Sequence, residues 1–213
     1  MKIELKNVVP LPLKGSLNPQ STCWNTDVEL LPAKKIVVQA VSGKGKSTFV
    51  NSIYGIRKDF EGEIFIDGIS TKNIDADRWS EIRTQHLSII FQDLQLIPHL
   101  TVAENLQLKN ELTNHKTVDE QKAMVEKLSL GDKWNTACGV LSYGQQQRIA
   151  VVRALLQPFD FILLDEPFAH LDHENAQLCY QMVREEAQKN NASIVLTTLD
   201  FASIDEFDQH LTL

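Results

Sequence analysis

The nine residues from Ala40 to Thr48 constrain this chain more than any other segment. They read Ala-Val-Ser-Gly-Lys-Gly-Lys-Ser-Thr, follow the β-branched run 36–38 and lead into a helix-like stretch, 48–53. A strand, a glycine-bearing turn and a helix start, in this order, predict a phosphate-binding loop. Successive backbone N–H groups form a concave anion site in such a turn, and the helix N-terminus adds partial positive charge. The alternative interpretation is an ordinary surface turn.

The residue types in this loop suit phosphate chemistry. Gly45 lets the backbone approach a phosphate because it carries no Cβ. Lys46 is expected to reach the terminal phosphates, and the Ser47 hydroxyl to hold Mg²⁺. Ala40 stands where the pattern has glycine. Alanine disfavours a positive φ but adds only one methyl group, so we still expect a usable loop.

Length and charge limit the class of protein. A chain of 213 residues fits one large domain, or a core with an inserted lobe. Its hydrophobic fraction of 43% and charged fraction of 23% are those of an ordinary soluble globular protein. The net charge of −7 argues against a dedicated nucleic-acid binder, which would normally show a basic face.

Membrane and export signals are missing from the sequence pattern. No apolar run approaches the roughly 18–20 residues that a membrane span needs, and the N-terminus lacks the apolar region of a signal peptide. Cys23, Cys138 and Cys179 are scattered without CxxC pairing, which fits a reducing cytosol. If this protein serves a membrane, we expect its partner to supply the spans.

The order of predicted elements indicates an α/β fold. The first third is rich in predicted strands and the last third alternates strand and helix, as expected for a parallel sheet with crossover helices. Thr117 and Glu120 have the spacing of a capping box, which predicts a helix start. The remaining predicted elements are strands at Lys2–Val9, Asp27–Leu31, Ile36–Ala40, Glu63–Gly68, Phe161–Leu164 and Ser193–Thr197, a loop at Pro10–Pro19 and a helix at Glu174–Lys189.

Two carboxylates follow the apolar strand 161–164. Asp165 and Glu166 should lie at the carboxyl end of a core strand, where ligands bind in open α/β sheets. Asp165 suits the Mg²⁺ shell, and Glu166 suits a general base that polarises an attacking water. The alternative is a buried strand that merely exits into acidic residues.

A helix start is predicted inside the run Leu141–Arg148. Ser142 and Gln145 have capping-box spacing, and the following apolar residues fall on one helix face. Because a helix start carrying serine and glycine can bind an anion, this segment is a second candidate phosphate contact. The alternative is a capped core helix with a glutamine-rich first turn.

The order of these motifs resembles that of the nucleotide-binding ATPase subunits of the ATP-binding cassette (ABC) transporter family. The resemblance covers nearly the whole chain, and the stretch 97–105 also resembles the family segment that follows its conserved glutamine. The run Gln145–Arg148 and the compact length look most like small importer or lipoprotein-export subunits. The motifs that carry the resemblance are the phosphate loop, Phe91-Gln92-Asp93, Leu141–Gln145, Leu164–Pro167 and Ala169–Asp172.

The resemblance implies an α/β P-loop NTPase (RecA-like) core with an N-terminal antiparallel β subdomain and an inserted helical subdomain. Residues 1–213 would form a single ABC ATPase domain. Within it, 1–92 and 145–213 would form the catalytic core with the β subdomain, and 93–144 the helical signature subdomain.

The resemblance also implies a role for each matching residue, with ATP and Mg²⁺ as ligands. Asp172 and its loop would communicate between two nucleotide sites. The phosphate-binding residues would be Ser42, Gly43, Lys44, Gly45, Lys46, Ser47 and Thr48. The residues that complete the site of a second subunit would be Ser142, Gly144 and Gln145. The catalytic residues would be Glu166, Gln92 and Lys46, and the Mg²⁺ ligands Ser47, Gln92 and Asp165.

Besides Ala40, three features depart from the family pattern. Tyr143 replaces the first of two signature glycines, although its side chain can point away while Gly144 keeps the close approach. Leu199 occupies the place of a histidine that contacts the γ-phosphate and water, when the strand end is aligned on Asp200. The loop after the first strand lacks the usual aromatic residue that stacks on adenine. Trp24 is one candidate to replace it, and the alternative is that Trp24 is a core residue, as a tryptophan before a strand more often is.

The leading functional hypothesis is an ATP-binding and hydrolysing subunit that powers a membrane transporter through ATP-driven dimer closure. Its partners would be an integral-membrane permease and a second ATPase subunit, with no nucleic acid. It would be cytoplasmic, peripheral on the cytoplasmic face of the inner membrane. One alternative is a catalytically impaired or regulatory cassette, which Leu199 favours and Glu166 and Lys46 oppose. Another is a soluble cassette protein of cluster assembly or DNA repair, and the acidic charge opposes its DNA branch.

Overall fold

The computed structural model describes residues 1–41, 43–198 and 206–213, and in these it contains two sheets and six α-helices. The strands are β1 (Ile3–Pro10), β2 (Asp27–Leu30), β3 (Lys35–Gln39), β4 (Phe60–Ile66), β5 (Ile69–Ser70), β6 (Leu87–Ile90), β7 (Phe161–Asp165), β8 (Ser193–Thr198) and β9 (Gln209–Thr212). The helices are α1 (Lys46–Ile53), α2 (Ala76–Gln85), α3 (Val102–Asn110), α4 (Val118–Lys127), α5 (Tyr143–Ala154) and α6 (His173–Lys189).

The first sheet is antiparallel, with strand order β2-β1-β4-β5. Apolar side chains on its strands are buried on one face of the sheet. In the register of β1 with β4, the buried Ile3 lies opposite Ile66 and the buried Leu5 lies opposite Ile64. The turn at residues 67–68 joins β4 to β5, as the Asp-Gly pair predicts. The predicted N-terminal antiparallel β layer is therefore present.

The second sheet is parallel, with strand order β6-β7-β8-β3-β9. β7 lies inside this sheet and all five of its residues are buried, which explains its uninterrupted apolar sequence. Because parallel strands end at the same edge, the carboxyl ends of β3, β6 and β7 are brought close together. This edge carries the candidate site.

The three helices between β6 and β7, which are α3, α4 and α5, each begin after a residue whose side chain caps the helix. Thr101, Thr117 and Ser142 each form a capping box, at the starts of α3, α4 and α5. α3, α4 and α5 share one core cluster with α6 and with part of the parallel sheet. The division of the chain at residues 92/93 and 144/145 stays our proposal, and its second limit falls within the first turn of α5.

Candidate active site

The loop between β3 and α1 has the backbone shape that a phosphate-binding turn requires. Gly43 (φ 76°) and Gly45 (φ 101°) are left-handed, and Gly45 directly precedes α1. A Cβ at Gly45 would lie 2.6 Å from Leu13 Cδ1, the end of a half-buried side chain that would have to shift. Thr48 lies in the first turn of α1, while Ser42 falls outside the described residues. Glycine is therefore favoured at position 45 chiefly because the backbone there is left-handed.

Alanine at position 40 introduces no backbone strain into this loop. It is not among the residues with positive φ, so its methyl group meets no left-handed backbone. Its carbonyl oxygen accepts a hydrogen bond from Lys46 Nζ at 2.8 Å. The expectation of a usable loop agrees with this geometry.

Lys46 and Glu166 form an ion pair at the sheet edge. The ammonium lies 3.2 Å from Glu166 Oε1, and the two side chains are 3% and 15% exposed. Glu166 follows β7 directly and has a left-handed backbone (φ 48°), a conformation that costs a non-glycine residue about 1–3 kcal/mol. Its N–H donates to the Thr197 carbonyl at 3.2 Å. The fold thus uses a strained backbone at Glu166 to hold its carboxylate against the lysine of the phosphate loop.

Four oxygen-bearing side chains lie beside this pair. Ser47 Oγ donates to Gln92 Oε1 at 3.2 Å, and Thr197 Oγ1 donates to Asp165 Oδ1 at 2.9 Å. Burial raises the pKa of Asp165, and the neighbouring hydroxyl groups of Ser47 and Thr197 oppose that rise. Hydroxyl, amide and carboxylate oxygens form the hard ligand set that suits Mg²⁺. Ser47, Gln92 and Asp165 also line one open cavity of about 590 Å³.

Ser142, Gly144 and Gln145 lie at the start of α5, which is capped by side chains of its own first turn. Ser142 Oγ accepts from the Gln145 N–H at 3.3 Å, and Gln145 Oε1 accepts from the Ser142 N–H at 3.0 Å. A Cβ at Gly144 would lie 3.3 Å from Leu171 Cδ2, within tight contact. In the described part of the chain, no hydrogen bond joins these three residues to the phosphate loop.

Several contacts at the site have no local signal in the sequence. Tyr143 does not point into open solvent, because its hydroxyl donates to the Gln92 carbonyl at 3.0 Å and its ring meets His170 edge-on. Arg153 donates to the carbonyls of Leu94 and Gln95. These partners lie tens of residues apart, and only the packing of α5 against the sheet brings them together.

Trp24 is a core residue and does not provide an exposed face for adenine. It is 3% exposed and its ring packs edge-on against Phe49 at 5.6 Å. The hypothesis that Trp24 replaces the missing aromatic residue is therefore not supported by the structure. The expectation for Leu199, aligned on Asp200, concerns residues outside the described part. Across that described part, no helix is both long and apolar enough to cross a membrane.

Comparisons with known proteins agree with this geometry. A family model described as "ABC transporter" matches residues 24–169, more than half of the chain. The macrolide export ATP-binding/permease protein MacB of Aggregatibacter actinomycetemcomitans is 34% identical over 165 residues, covering 76% of this chain and 26% of that protein. The lipoprotein-releasing system ATP-binding protein LolD of Shewanella oneidensis is 27% identical over 192 residues, covering 89% and 84%.

A solved structure matches almost the whole fold. The dimeric ABC transporter cassette MJ0796 of Methanocaldococcus jannaschii superimposes with a TM-score of 0.82 at 28% identity, covering 99% of this chain and 94% of that one. The same cassette has also been solved in a post-hydrolysis state bound to ADP and Pi. The family match, the fold and the grouping of loop, lysine and carboxylates lead to one conclusion: this chain belongs to the ABC transporter family and is an ATP-binding cassette with ATPase activity.

Proposed function

We propose that this chain powers a membrane transporter, by ATP-driven closure of a dimer and release on hydrolysis. The observation that carries the proposal is the contact of Lys46 with Glu166, beside the oxygen atoms of Ser47, Gln92 and Asp165. A regulatory switch without turnover is not favoured, because the lysine and the carboxylate that hydrolysis needs are both in place.

The phosphate loop is the proposed ATP-binding element. Backbone N–H groups of residues 42–48 and the ammonium of Lys46 would bind the phosphates. Ser47, Gln92 and Asp165 would hold Mg²⁺, which when bound neutralises charge on the β- and γ-phosphate oxygens. Lys46 would exchange its ion pair with Glu166 for the phosphates.

Glu166 is the proposed general base. Freed from Lys46, its carboxylate would accept a proton from the water that attacks the γ-phosphate. The left-handed backbone at Glu166 and its hydrogen bond to Thr197 hold this carboxylate at the end of β7. Its side chain is 15% exposed, so a water molecule can reach it.

A second subunit would complete the site. The capping box leaves the N-terminal N–H groups of α5 ordered, and Gly144 keeps the backbone there unobstructed. Ser142, Gly144 and Gln145 would contact the ATP held by the partner's phosphate loop. The dimeric form of MJ0796 supports the association of two such subunits.

A groove beside the Gln92 loop is the proposed contact with an integral-membrane permease. It has a volume of about 270 Å³ and carries the exposed side chains of Leu108 and Leu112 next to Lys109 and Arg153. Burial, with Arg153 nearby, lowers the pKa of Lys109 to about 8. MacB is named as a macrolide export ATP-binding/permease protein and LolD as the ATP-binding protein of a lipoprotein-releasing system. The permease part of the first name supports a peripheral position on the cytoplasmic face of the inner membrane.

Site-specific photo-crosslinking tests this contact. A photoreactive amino acid at Leu112, in cells that naturally make the protein, should yield an adduct with an integral-membrane protein. The same amino acid at Leu178, exposed on α6 instead, should not yield that adduct. Adducts at Leu112 with non-membrane proteins only, or equal membrane adducts at both positions, would contradict a permease in the groove.

Leu199 leads to a prediction about the rate of ATP hydrolysis, and this prediction is based on the sequence resemblance alone. A leucine cannot hydrogen-bond a phosphate oxygen or orient a water, and losing one such contact typically costs about 10²–10³ in rate. The isolated protein should therefore hydrolyse ATP slowly, and Leu199→His should raise turnover at saturating Mg-ATP by about tenfold or more. The control Leu178→His should leave turnover unchanged. A parent rate like that of ordinary family members, with no gain from histidine, would show that another group fills the role.

A further inference from the structure

We propose that Tyr143 is a positioning residue, which ties the start of α5 to the Gln92 loop and so holds the Gln92 amide against Ser47. The proposal rests on the role of Gln92 and Ser47 as Mg²⁺ ligands stated above. Tyr143 occupies a position at which the ABC family usually has glycine, so the hydrogen bond from its hydroxyl depends on this chain's own sequence.

The first observation is the contact of Tyr143 across the site. Its hydroxyl donates to the Gln92 carbonyl at 3.0 Å, although the two residues are 51 positions apart. Its ring lies edge-on against His170, with 4.7 Å between ring centroids and an interplanar angle of 74°. Although Tyr143 is 42% exposed, both ends of its side chain therefore have a partner.

The second observation is the contact made by the side chain of Gln92. Its Oε1 accepts from Ser47 Oγ at 3.2 Å, so one residue contacts α1 through its side chain and α5 through its backbone. Fixing the backbone of Gln92 reduces the number of positions its amide can take. The Tyr143 hydroxyl therefore acts on the oxygen ligands through Gln92.

The third observation is that α5 holds the same loop at a second point. Arg153, one helix residue before its end, donates to the carbonyls of Leu94 and Gln95. Leu94 (φ 60°) and Gln95 (φ 53°) are both left-handed, a conformation that persists only where surrounding contacts hold it. α5 itself is anchored in the core, where Ile149, Val151 and Val152 are fully buried. A rigid helix thus fixes the loop from residue 92 to residue 95 at both ends.

Replacing Tyr143 with phenylalanine isolates the hydroxyl. The ring and its His170 contact are kept, and only the hydrogen bond to Gln92 is lost. The matched control is Tyr54→Phe, because the Tyr54 ring packs edge-on against Phe91 while its hydroxyl has no hydrogen bond to any described residue. The primary measurement is the Mg²⁺ concentration that gives half-maximal binding of a fluorescent ATP analogue. The second is hydrogen exchange of the amides in residues 92–95.

Tyr143→Phe should raise the half-maximal Mg²⁺ concentration about threefold to tenfold, the effect of one neutral hydrogen bond. Binding of the analogue without Mg²⁺ should not change, and exchange should quicken in residues 92–95 only. Tyr54→Phe should match the parent in both measurements.

Identical Mg²⁺ dependence and exchange in Tyr143→Phe and the parent would overturn the proposal. Faster exchange throughout the chain would also overturn it, since the hydroxyl would then serve overall stability. A parent whose binding of the analogue does not depend on Mg²⁺ would instead contradict the proposed function, and the positioning role with it.

Discussion

Replacing Lys46 with alanine should abolish measurable Mg-ATP binding. Lys46 carries the buried ammonium of the phosphate loop, and hydrogen bonds to charged groups contribute about 1.5–3 kcal/mol each. The substitution also leaves the Glu166 carboxylate without its cation, close to where the γ-phosphate would sit. Lost attraction and new repulsion together should weaken binding about 10²-fold or more, as measured by calorimetry.

Two further variants make this result specific. Lys58→Ala removes an exposed lysine just beyond α1 and should leave the affinity unchanged. Adding Glu166→Gln to Lys46→Ala removes the carboxylate that repels the phosphates and should restore part of the affinity. Unchanged Mg-ATP affinity in Lys46→Ala would refute the assignment of residues 40–48 as the phosphate loop.

Glu166→Gln should stop turnover while ATP binding persists. Glutamine keeps the shape of the side chain but cannot accept the proton of the attacking water, and general base catalysis typically contributes about 10²–10⁴ in rate. The same change removes the ion pair with Lys46, so the lysine becomes available to the phosphates at no electrostatic cost. We therefore expect ATPase activity to fall at least about 10²-fold and ATP affinity to stay or increase.

The trapped ATP should also reveal dimer closure. Glu166→Gln should elute as a dimer from a size-exclusion column run with Mg-ATP and as a monomer without nucleotide. Glu126→Gln, at an exposed position of α4, should keep parental turnover and show no such trapping. If Glu166→Gln stays monomeric with ATP, and the parent also shows no ATP-dependent association, the closing-dimer mechanism is wrong for the isolated subunit. Full turnover in Glu166→Gln would remove Glu166 as the base.

The local structure of this protein was predictable because its signals act over a few residues. The capping pairs at Thr117 and Ser142 join positions three apart, and both helices begin where those pairs predict. The apolar run 161–164 becomes a fully buried strand, and the turn at residues 67–68 follows from two turn-forming residues. In each case, hydrogen bonding or burial within one segment decides the conformation.

Which residues form the nucleotide site could be predicted from the sequence only in part. Motif order places Lys46, Ser47, Gln92, Asp165 and Glu166 in one nucleotide site, and the structure brings these side chains to one edge of the parallel sheet. Their individual roles stay predictions. The sequence could not show that the lysine and the glutamate pair with each other, because that contact depends on the alignment of β3 with β7 across β8.

The sequence by itself determined the position of the phosphate loop, the helix starts after Thr117 and Ser142 and the buried strand 161–164, since these depend on interactions between near neighbours. Only the tertiary structure decided which way Tyr143 points, that Trp24 is buried, and that Arg153 holds the strained loop after Gln92. Each of those outcomes joins residues far apart in the chain. The physical reason is that such contacts depend on how α5 and the β1 loop pack against the sheet, and no short sequence pattern encodes that packing.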